Sequence, residues 1–314
     1  MRFRIKTDIF RKAIDAASRA ASTSNLSPIL ENIMIDAGYD EVTFTGNNLE
    51  MSIEYSVKEG VEVETPGRFT LSAKFLLSYV SLVQDSEITL DYEGGGAASI
   101  ITNGGRTKLH GMDPEKFPSI PMISEENPII LNVEDFRGAI DKTIVSAAEG
   151  NVRPMLAGIY MNATGEKLIF ASTDSFRLSD YSLVPKNPIS HPPIIIPKRT
   201  ALELSHLMNA ENIKEVEIFT QESQILIHIG AVKMTSRLLS GKFPEYSAFF
   251  PKEFQTKSTV LRTEFINALK QVDLVAQKNN HNVRIRSLVE GKIEIFTGDT
   301  DMGTSNRMIS GTVE

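Results

Sequence analysis

The residues best suited to chemistry are few and poorly arranged for it. Asp299-Thr300-Asp301-Met302-Gly303 places two carboxylates one residue apart before a glycine, as a calcium loop does, but the downstream glutamate that such a loop needs is missing. A metal-dependent nucleotidyl-transfer reading would have to rest on Asp299 and Asp301 alone. The five histidines, His110, His191, His206, His228 and His281, are scattered and show no metal-ligand spacing. Gly94-Gly95-Gly96 is not followed by Lys-Ser/Thr, so it reads as a hairpin turn rather than a phosphate loop. With no cysteine there is neither a thiolate nor a disulfide, which favours an intracellular setting. These features predict no catalytic residue, no metal and no cofactor.

A different pattern organises the chain. Phe170-Ala171-Ser172-Thr173-Asp174-Ser175-Phe176-Arg177-Leu178 closes one short strand with a polar loop and opens another. The same strand-and-loop pattern occurs at Val42 to Leu49 and again at Ile293 to Asp299, with Phe44, Phe170 and Phe296 spaced by 126 residues. Phe10 and Phe136 share that spacing, as do Phe117 and Phe243 in Lys116-Phe117-Pro118 and Lys242-Phe243-Pro244. The 314 residues therefore hold two full repeats of about 126 residues and roughly half of a third. A period this long marks homologous domains rather than a solenoid. The predicted domains are 1–122, 129–250 and 252–314.

The elements of each repeat follow from periodicity. Residues 2–6 alternate apolar and basic, as a strand does, and Thr7 is placed to cap the helix that follows. Ile9, Phe10, Ala13, Ile14 and Ala17 form one helical stripe, with Arg11, Lys12 and Arg19 off it. Strands are predicted over 29–36, 41–45 and 50–57. Ser72 caps a second helix that turns Phe75, Leu76, Tyr79, Val80 and Val83 inward. Pro114, Pro118, Pro121 and Pro128 mark a linker, after which the order restarts with a helix over 133–143. Each full copy has two helices and about eight strands, an α+β arrangement in which a helix pair packs on curved antiparallel sheet.

Charge and hydropathy narrow the setting. The net charge of −7 argues against a protein held on nucleic acid by bulk charge, though a local basic surface stays compatible with it. Met1 to Lys6 lacks a signal-peptide core, and no run of 18 apolar residues exists to span a membrane.

Four pieces carry a family resemblance: Leu26-Ser27-Pro28-Ile29-Leu30, Thr45-Gly46-Asn47-Asn48-Leu49-Glu50-Met51, Ser172-Thr173-Asp174-Ser175-Phe176-Arg177-Leu178 and Ser240-Gly241-Lys242-Phe243-Pro244-Glu245-Tyr246. In this order and with this period, the chain resembles the bacterial sliding clamp, the beta subunit of DNA polymerase III. The resemblance implies a DNA-clamp fold assembled as a ring, a head-to-tail homodimer with helices lining a central hole. It implies a non-catalytic processivity factor in DNA replication. Such a ring encircles double-stranded DNA without reading sequence and tethers the replicative polymerase. The clamp loader and other proteins bearing a clamp-binding motif are the further partners, in the cytoplasm and with no membrane involved.

Carried over by position, the implied DNA contacts are Lys12, Lys74, Arg153, Lys198 and Arg199, with Ser24 standing where the family often has a basic residue. The implied partner-peptide pocket is walled by Leu156, Thr173, Ser175, Phe176, Arg177, Leu178, Pro244 and Phe249. The implied ring interface sets Lys108 and Leu109 of one chain against Leu274 and Val275 of the other. Taken from the residues alone, Leu156, Phe176, Leu178 and Leu274 read as core, and any single lysine as solvated charge. The family continues for about another half-domain, so residues 252–314 are expected to pack loosely. The alternative reading is a clamp-like docking scaffold that does not close on DNA.

Overall fold

The computed structural model describes residues 1–21, 27–120, 122–150, 153–187, 191–209, 213–277, 280–288 and 291–314. The chain divides into two compact units, Met1–Phe243 and Pro244–Glu314.

The first unit contains both full repeats. The first repeat runs β1 (Arg2–Lys6), α1 (Thr7–Ser18), β2 (Asn32–Ala37), β3 (Val42–Asn47), β4 (Met51–Val57), β5 (Val61–Thr65), β6 (Gly67–Ser72), α2 (Ala73–Leu82), β7 (Glu87–Tyr92), β8 (Ala97–Thr102) and β9 (Gly105–His110). The second runs β10 (Ile129–Asn132), α3 (Val133–Thr143), β11 (Gly158–Thr164), β12 (Lys167–Thr173), β13 (Leu178–Leu183), β14 (Ile194–Pro197), α4 (Lys198–Leu207), β15 (Glu215–Gln221), β16 (Gln224–Ile229) and β17 (Val232–Arg237).

Three antiparallel sheets result, ordered β5-β1-β7-β8-β9, β10-β15-β16-β17-β4-β3-β2-β6 and β13-β12-β11-β14. The eight-stranded sheet crosses the repeat boundary. There β17 of the second repeat pairs with β4 of the first, with Lys233 opposite Glu54 and Met234 opposite Ile53. Burial follows the same route: Ala16, Ala20, Met51 and Ile53 join the core built around Phe136, Phe170, Ile218, Ile227 and Met234. The first repeat keeps its own core around Phe3, Phe10, Phe44, Phe69 and Leu76.

The helix stripes read from the sequence are largely the buried faces. In α1, Phe10, Ala13, Ile14 and Ala17 are buried, and Ala16 joins them where the repeats meet. Its start differs from expectation: the helix begins at Thr7 itself, Lys6 occupies the cap position without a side-chain bond, and the buried Thr7 Oγ1 has no partner. In α2, Ser72 Oγ accepts the Phe75 amide at 3.4 Å as the cap pattern predicts, but Phe75 is 37% exposed and stacks on Tyr79 at 5.5 Å. The strand expected over 29–36 is shorter. Pro28–Glu31 forms a 3-10 turn because proline presets its first φ, and β2 begins at Asn32. Gly94, Gly95 and Gly96 all have positive φ and form the β7–β8 turn.

Close approach of helix to strand is handled differently in the two repeats. At Gly46 a Cβ would lie 1.9 Å from the Ala17 carbonyl oxygen, so only glycine lets the end of α1 close on β3. At the position 126 residues later, the Ser172 hydroxyl instead donates to the Thr143 carbonyl at the end of α3.

The second unit runs β18 (Ser258–Val260), α5 (Arg262–Ala276), β19 (Arg284–Leu288), β20 (Lys292–Phe296) and β21 (Asn306–Val313), with sheet order β18-β21-β20-β19. Ala268 and Val272 of α5 pack on Ile293, Ile295 and Ile309, with Val260, Phe265, Leu269, Val283 and Val313 partly buried around them.

Candidate nucleic-acid and partner interface

Basic side chains on the free helix faces come first. Lys12 on α1, Lys74 on α2 and Arg199 on α4 are exposed. Helix packing runs α2 to α1 and α3 to α4, and Arg19 joins the pairs by reaching both Asp15 on its own helix (3.2 Å) and Glu203 on α4 (3.5 Å). The contacts therefore order the helices α2-α1-α4-α3 across the two repeats. Lys12, Asp15, Arg19, His206 and Asn209 line a cavity of about 680 Å³ where α1 approaches α4 and the β16–β17 turn.

Two expected contacts are already engaged. Lys198 Nζ donates to the Ala147 carbonyl at 3.2 Å and to the Glu149 carboxylate, leaving its side chain 22% exposed. Arg153 Nη1 donates to Ser175 Oγ at 3.1 Å, so it braces the loop after β12. Arg11 donates to the Val80 and Val83 carbonyls (3.3 Å each), closing the exposed C-terminal carbonyls of α2. Arg137 donates to Asn209 Oδ1 at 2.5 Å, and Lys142 lies 4.3 Å from the Tyr181 ring. Ser24 and Leu26 lie outside the described residues.

The β12–β13 loop is built by its own polar side chains. Thr173 Oγ1 accepts the Ser175 amide (3.1 Å) and donates to the Arg177 carbonyl (2.7 Å). Asp174 Oδ1 accepts the Phe176 and Arg177 amides at 2.9 and 3.0 Å, and its Oδ2 takes the Arg177 guanidinium at 2.9 Å. Partial burial pushes the Asp174 carboxyl up, but the two amides and the guanidinium together outweigh it and hold the carboxyl below its ordinary value. Ser175 has φ 79°, a left-handed conformation, and Phe176 is 98% exposed.

The first repeat carries the same loop. Asn47 Oδ1 accepts the Leu49 amide at 2.7 Å, and Asn48 Oδ1 accepts the Glu50 and Met51 amides at 3.0 and 2.9 Å. In the second unit Thr300 Oγ1 accepts the Met302 amide at 3.2 Å, and Thr300 bridges Gly303. The segment that resembles a calcium loop thus shares one side-chain-to-amide bond with these turns, and among the described residues no group of three or more His, Asp and Glu could hold a metal ion.

Thr173, Ser175, Phe176, Arg177 and Leu178 are therefore gathered on one turn, with Arg153 beside it. Leu156 is buried three residues beyond Arg153, its amide bonded to the Arg153 carbonyl. Phe243, next to the expected pocket residue Pro244, is buried and stacks on Tyr160 at 4.7 Å. Pro244 and Phe249 belong to the second unit, where Phe249 is 72% exposed. Lys108 and Leu109 lie on β9, the edge strand of its sheet, with Lys108 exposed and Leu109 packed on the first-repeat core. Leu274 is 61% exposed on α5, and Val275 is partly buried beside it. No helix among the described residues is long and apolar enough to cross a membrane.

Comparison with known proteins agrees with this geometry. The family profile described as "DNA polymerase III beta subunit, N-terminal domain" matches residues 1–121, and the one described as "DNA polymerase III beta subunit, central domain" matches residues 130–245. The Beta sliding clamp of Staphylococcus aureus is 28% identical over 310 residues, covering 97% of this chain and 82% of that protein. Among solved structures, the beta subunit from DNA polymerase of Streptococcus pyogenes superposes with a TM-score of 0.93 at 25% identity, covering all of this chain and 85% of the other. The DNA polymerase sliding clamp from Bacillus subtilis gives 0.92 at 26% identity, with the same coverage. The internal repeat, the α+β build of each copy and these matches together place the chain in the family of bacterial DNA polymerase III beta subunits, the beta sliding clamps.

Proposed function

We propose that the chain acts as a non-catalytic processivity clamp in DNA replication. It encircles duplex DNA and tethers the replicative polymerase. The observation that carries this reading is similarity to sliding clamps over 97% of the chain, at the level of repeated domains rather than of one motif. Topology, not affinity, retains such a protein on DNA, so the net charge of −7 is no obstacle. Weak phosphate contacts that read no bases permit sliding. Holding the polymerase near the primer end raises its effective concentration there without any chemical step.

In this reading the domains are 1–122, 129–250 and 252–314, and two chains close a head-to-tail ring. Lys108 and Leu109 on the β9 edge meet Leu274 and Val275 of the second copy. Lys12, Lys74, Arg153, Lys198 and Arg199 face DNA. The turn carrying Thr173, Ser175, Phe176, Arg177 and Leu178, with Leu156, Pro244 and Phe249, receives short peptides of the polymerase, the clamp loader and other partners. An exposed aromatic on a turn held rigid by its own side chains supports this role, since rigid aromatic anchors dominate peptide and protein interfaces. The compartment is the cytoplasm.

The test is retention on DNA. Chains loaded on nicked circular DNA should stay bound through gel filtration in moderate salt and should fall off when the circle is linearised. Equal retention on both forms would sink the encircling reading. Light scattering should show a species of about 69 kDa, twice the 34.7 kDa chain.

A further inference from the structure

The segment joining the two repeats lies against the solvent side of the shared sheet, and two of its side chains dock there. Ile123 is buried with Phe219 on β15 and Leu226 on β16. Two residues on, Glu125 reaches a row of charges set by strand register. Glu217 on β15 stands opposite His228 on β16, His228 opposite Lys233 on β17, and Lys233 opposite Glu54 on β4. Their neighbours Ile218, Ile227, Met234 and Ile53 point the other way into the core, so all four polar residues share one face.

The Glu125 carboxylate divides between two cations. Its Oε1 takes Lys233 Nζ at 2.7 Å, while its Oε2 stands 3.6 Å from His228 Nε2, too far for a hydrogen bond. His228 Nδ1 is 3.4 Å from Glu217 Oε2. The His228 side chain is only 18% exposed, lies 5.0 Å from the Phe219 ring, and its buried Nε2 has no hydrogen-bond partner. A neutral imidazole donates from one nitrogen only, whereas an imidazolium donates from both. With a carboxylate facing each nitrogen, the site is arranged for the protonated ring.

We propose that His228 is a proton-operated latch for the inter-repeat segment. Uptake of one proton lets Nε2 close on Glu125 while Nδ1 holds Glu217, drawing the segment onto the sheet at the β4–β17 seam.

Proton uptake favours the docked form. Docking is therefore tighter at pH 5.5 than at pH 8. The other groups of the cluster do not reverse this sign. The Lys233 hydrogen bond holds Glu125 below the ordinary carboxylate value, so Glu125 stays ionised throughout that range. Burial pushes Glu54 up, with Lys233 opposing and Glu125 and Glu41 adding to the rise, so any proton Glu54 takes also binds on the acid side. Glu54→Gln therefore separates the two contributions.

Cleavage after Glu126 by a glutamate-specific protease reads the docking, normalised at each pH to a free peptide of residues 119–130. Between pH 8 and pH 5.5 the normalised rate in the full chain should fall about two- to five-fold, as a single ion pair of this exposure allows. His228→Gln and, independently, the surface variant Glu125→Gln should abolish the fall, while Glu54→Gln should keep it. A pH-independent rate in the unmodified chain overturns the proposal. So does a fall that survives Glu125→Gln, or one that Glu54→Gln alone removes.

Discussion

Leu49 and Ser175 stand 126 residues apart and share one backbone conformation, with φ of 72° and 79°. Neither is glycine, yet both sit at the crest of the same turn. In each repeat the side chains one and two positions before the crest accept the backbone amides that hold it. Left-handed backbone in a residue with a Cβ costs about 1–2 kcal/mol, so the turn's own hydrogen bonds must over-determine it. Ser175→Gly and Leu49→Gly are expected to change stability by less than about 1 kcal/mol, as relief of strain offsets glycine's extra unfolded-state freedom. Ser175→Val should lower it by about 1–3 kcal/mol. Urea unfolding of the three variants checks this.

Phe176→Ala should leave the melting temperature within about 1 °C, because the ring is 98% exposed. Binding of a clamp-binding peptide should weaken roughly ten-fold or more, the usual cost of losing an aromatic anchor. Fluorescence anisotropy with a labelled peptide measures it. Unchanged affinity would remove Phe176 from the partner site.

Asp174 makes the turn sensitive to acid. Its carboxyl is held below the ordinary value of about 3.8, so its stabilising contribution is complete above that value and is lost as pH falls through the lowered one. Peptide binding should be flat in this respect from pH 8 to pH 5 and should drop below about pH 3.8. Asp174→Asn keeps one acceptor but loses the Arg177 ion pair, and should weaken binding even at neutral pH.

Lys198 and Arg199 separate by what they already touch. Lys198 is occupied by Ala147 and Glu149, whereas Arg199 is exposed. Arg199→Ala should reduce the salt dependence of weak DNA binding by about one unit of log–log slope. Lys198→Ala should leave that slope nearly unchanged and instead raise proteolytic susceptibility of the 147–150 segment. Equal changes in slope would show that Lys198 gives up Glu149 for a phosphate as readily as Arg199 meets one.

Gly46→Ala tests the closest backbone approach in the first repeat. A Cβ there would lie 1.9 Å from the Ala17 carbonyl oxygen, which is backbone and cannot swing away. The loss should exceed about 2 kcal/mol in chemical denaturation, whereas Gly138→Ala on α3, where nothing obstructs a Cβ, should gain up to about 1 kcal/mol.

Much of this was legible in the sequence because it is periodic. The spacing of Phe44, Phe170 and Phe296 marks one structural position in successive repeats, and the stripe of α1 is its buried face. What the sequence did not show depends on contacts distant along the chain. Lys198 and Arg153 look like free cations until Glu149, Ala147 and Ser175 are placed beside them. Thr7 looks like a cap, yet the helix incorporates it, since the Thr7 amide bonds to Ser86, a partner no local pattern names. Taken from the residues alone, Phe176 reads as core by its type, and only the turn geometry shows the ring standing in solvent.

The pairing of β4 with β17 also bears on how the chain is made. Ile53 leaves the ribosome roughly 180 residues before Met234, its partner across the ladder. At about 5–20 residues per second, β4 waits on the order of 10–40 s as an open edge of an otherwise finished half-sheet. Such an edge invites pairing with another nascent chain. Glu54, at the middle of β4, places a carboxylate on that waiting edge, and two copies laid together there would oppose like charges. The residue that sits partly buried opposite Lys233 in the finished protein thus guards the unfinished one.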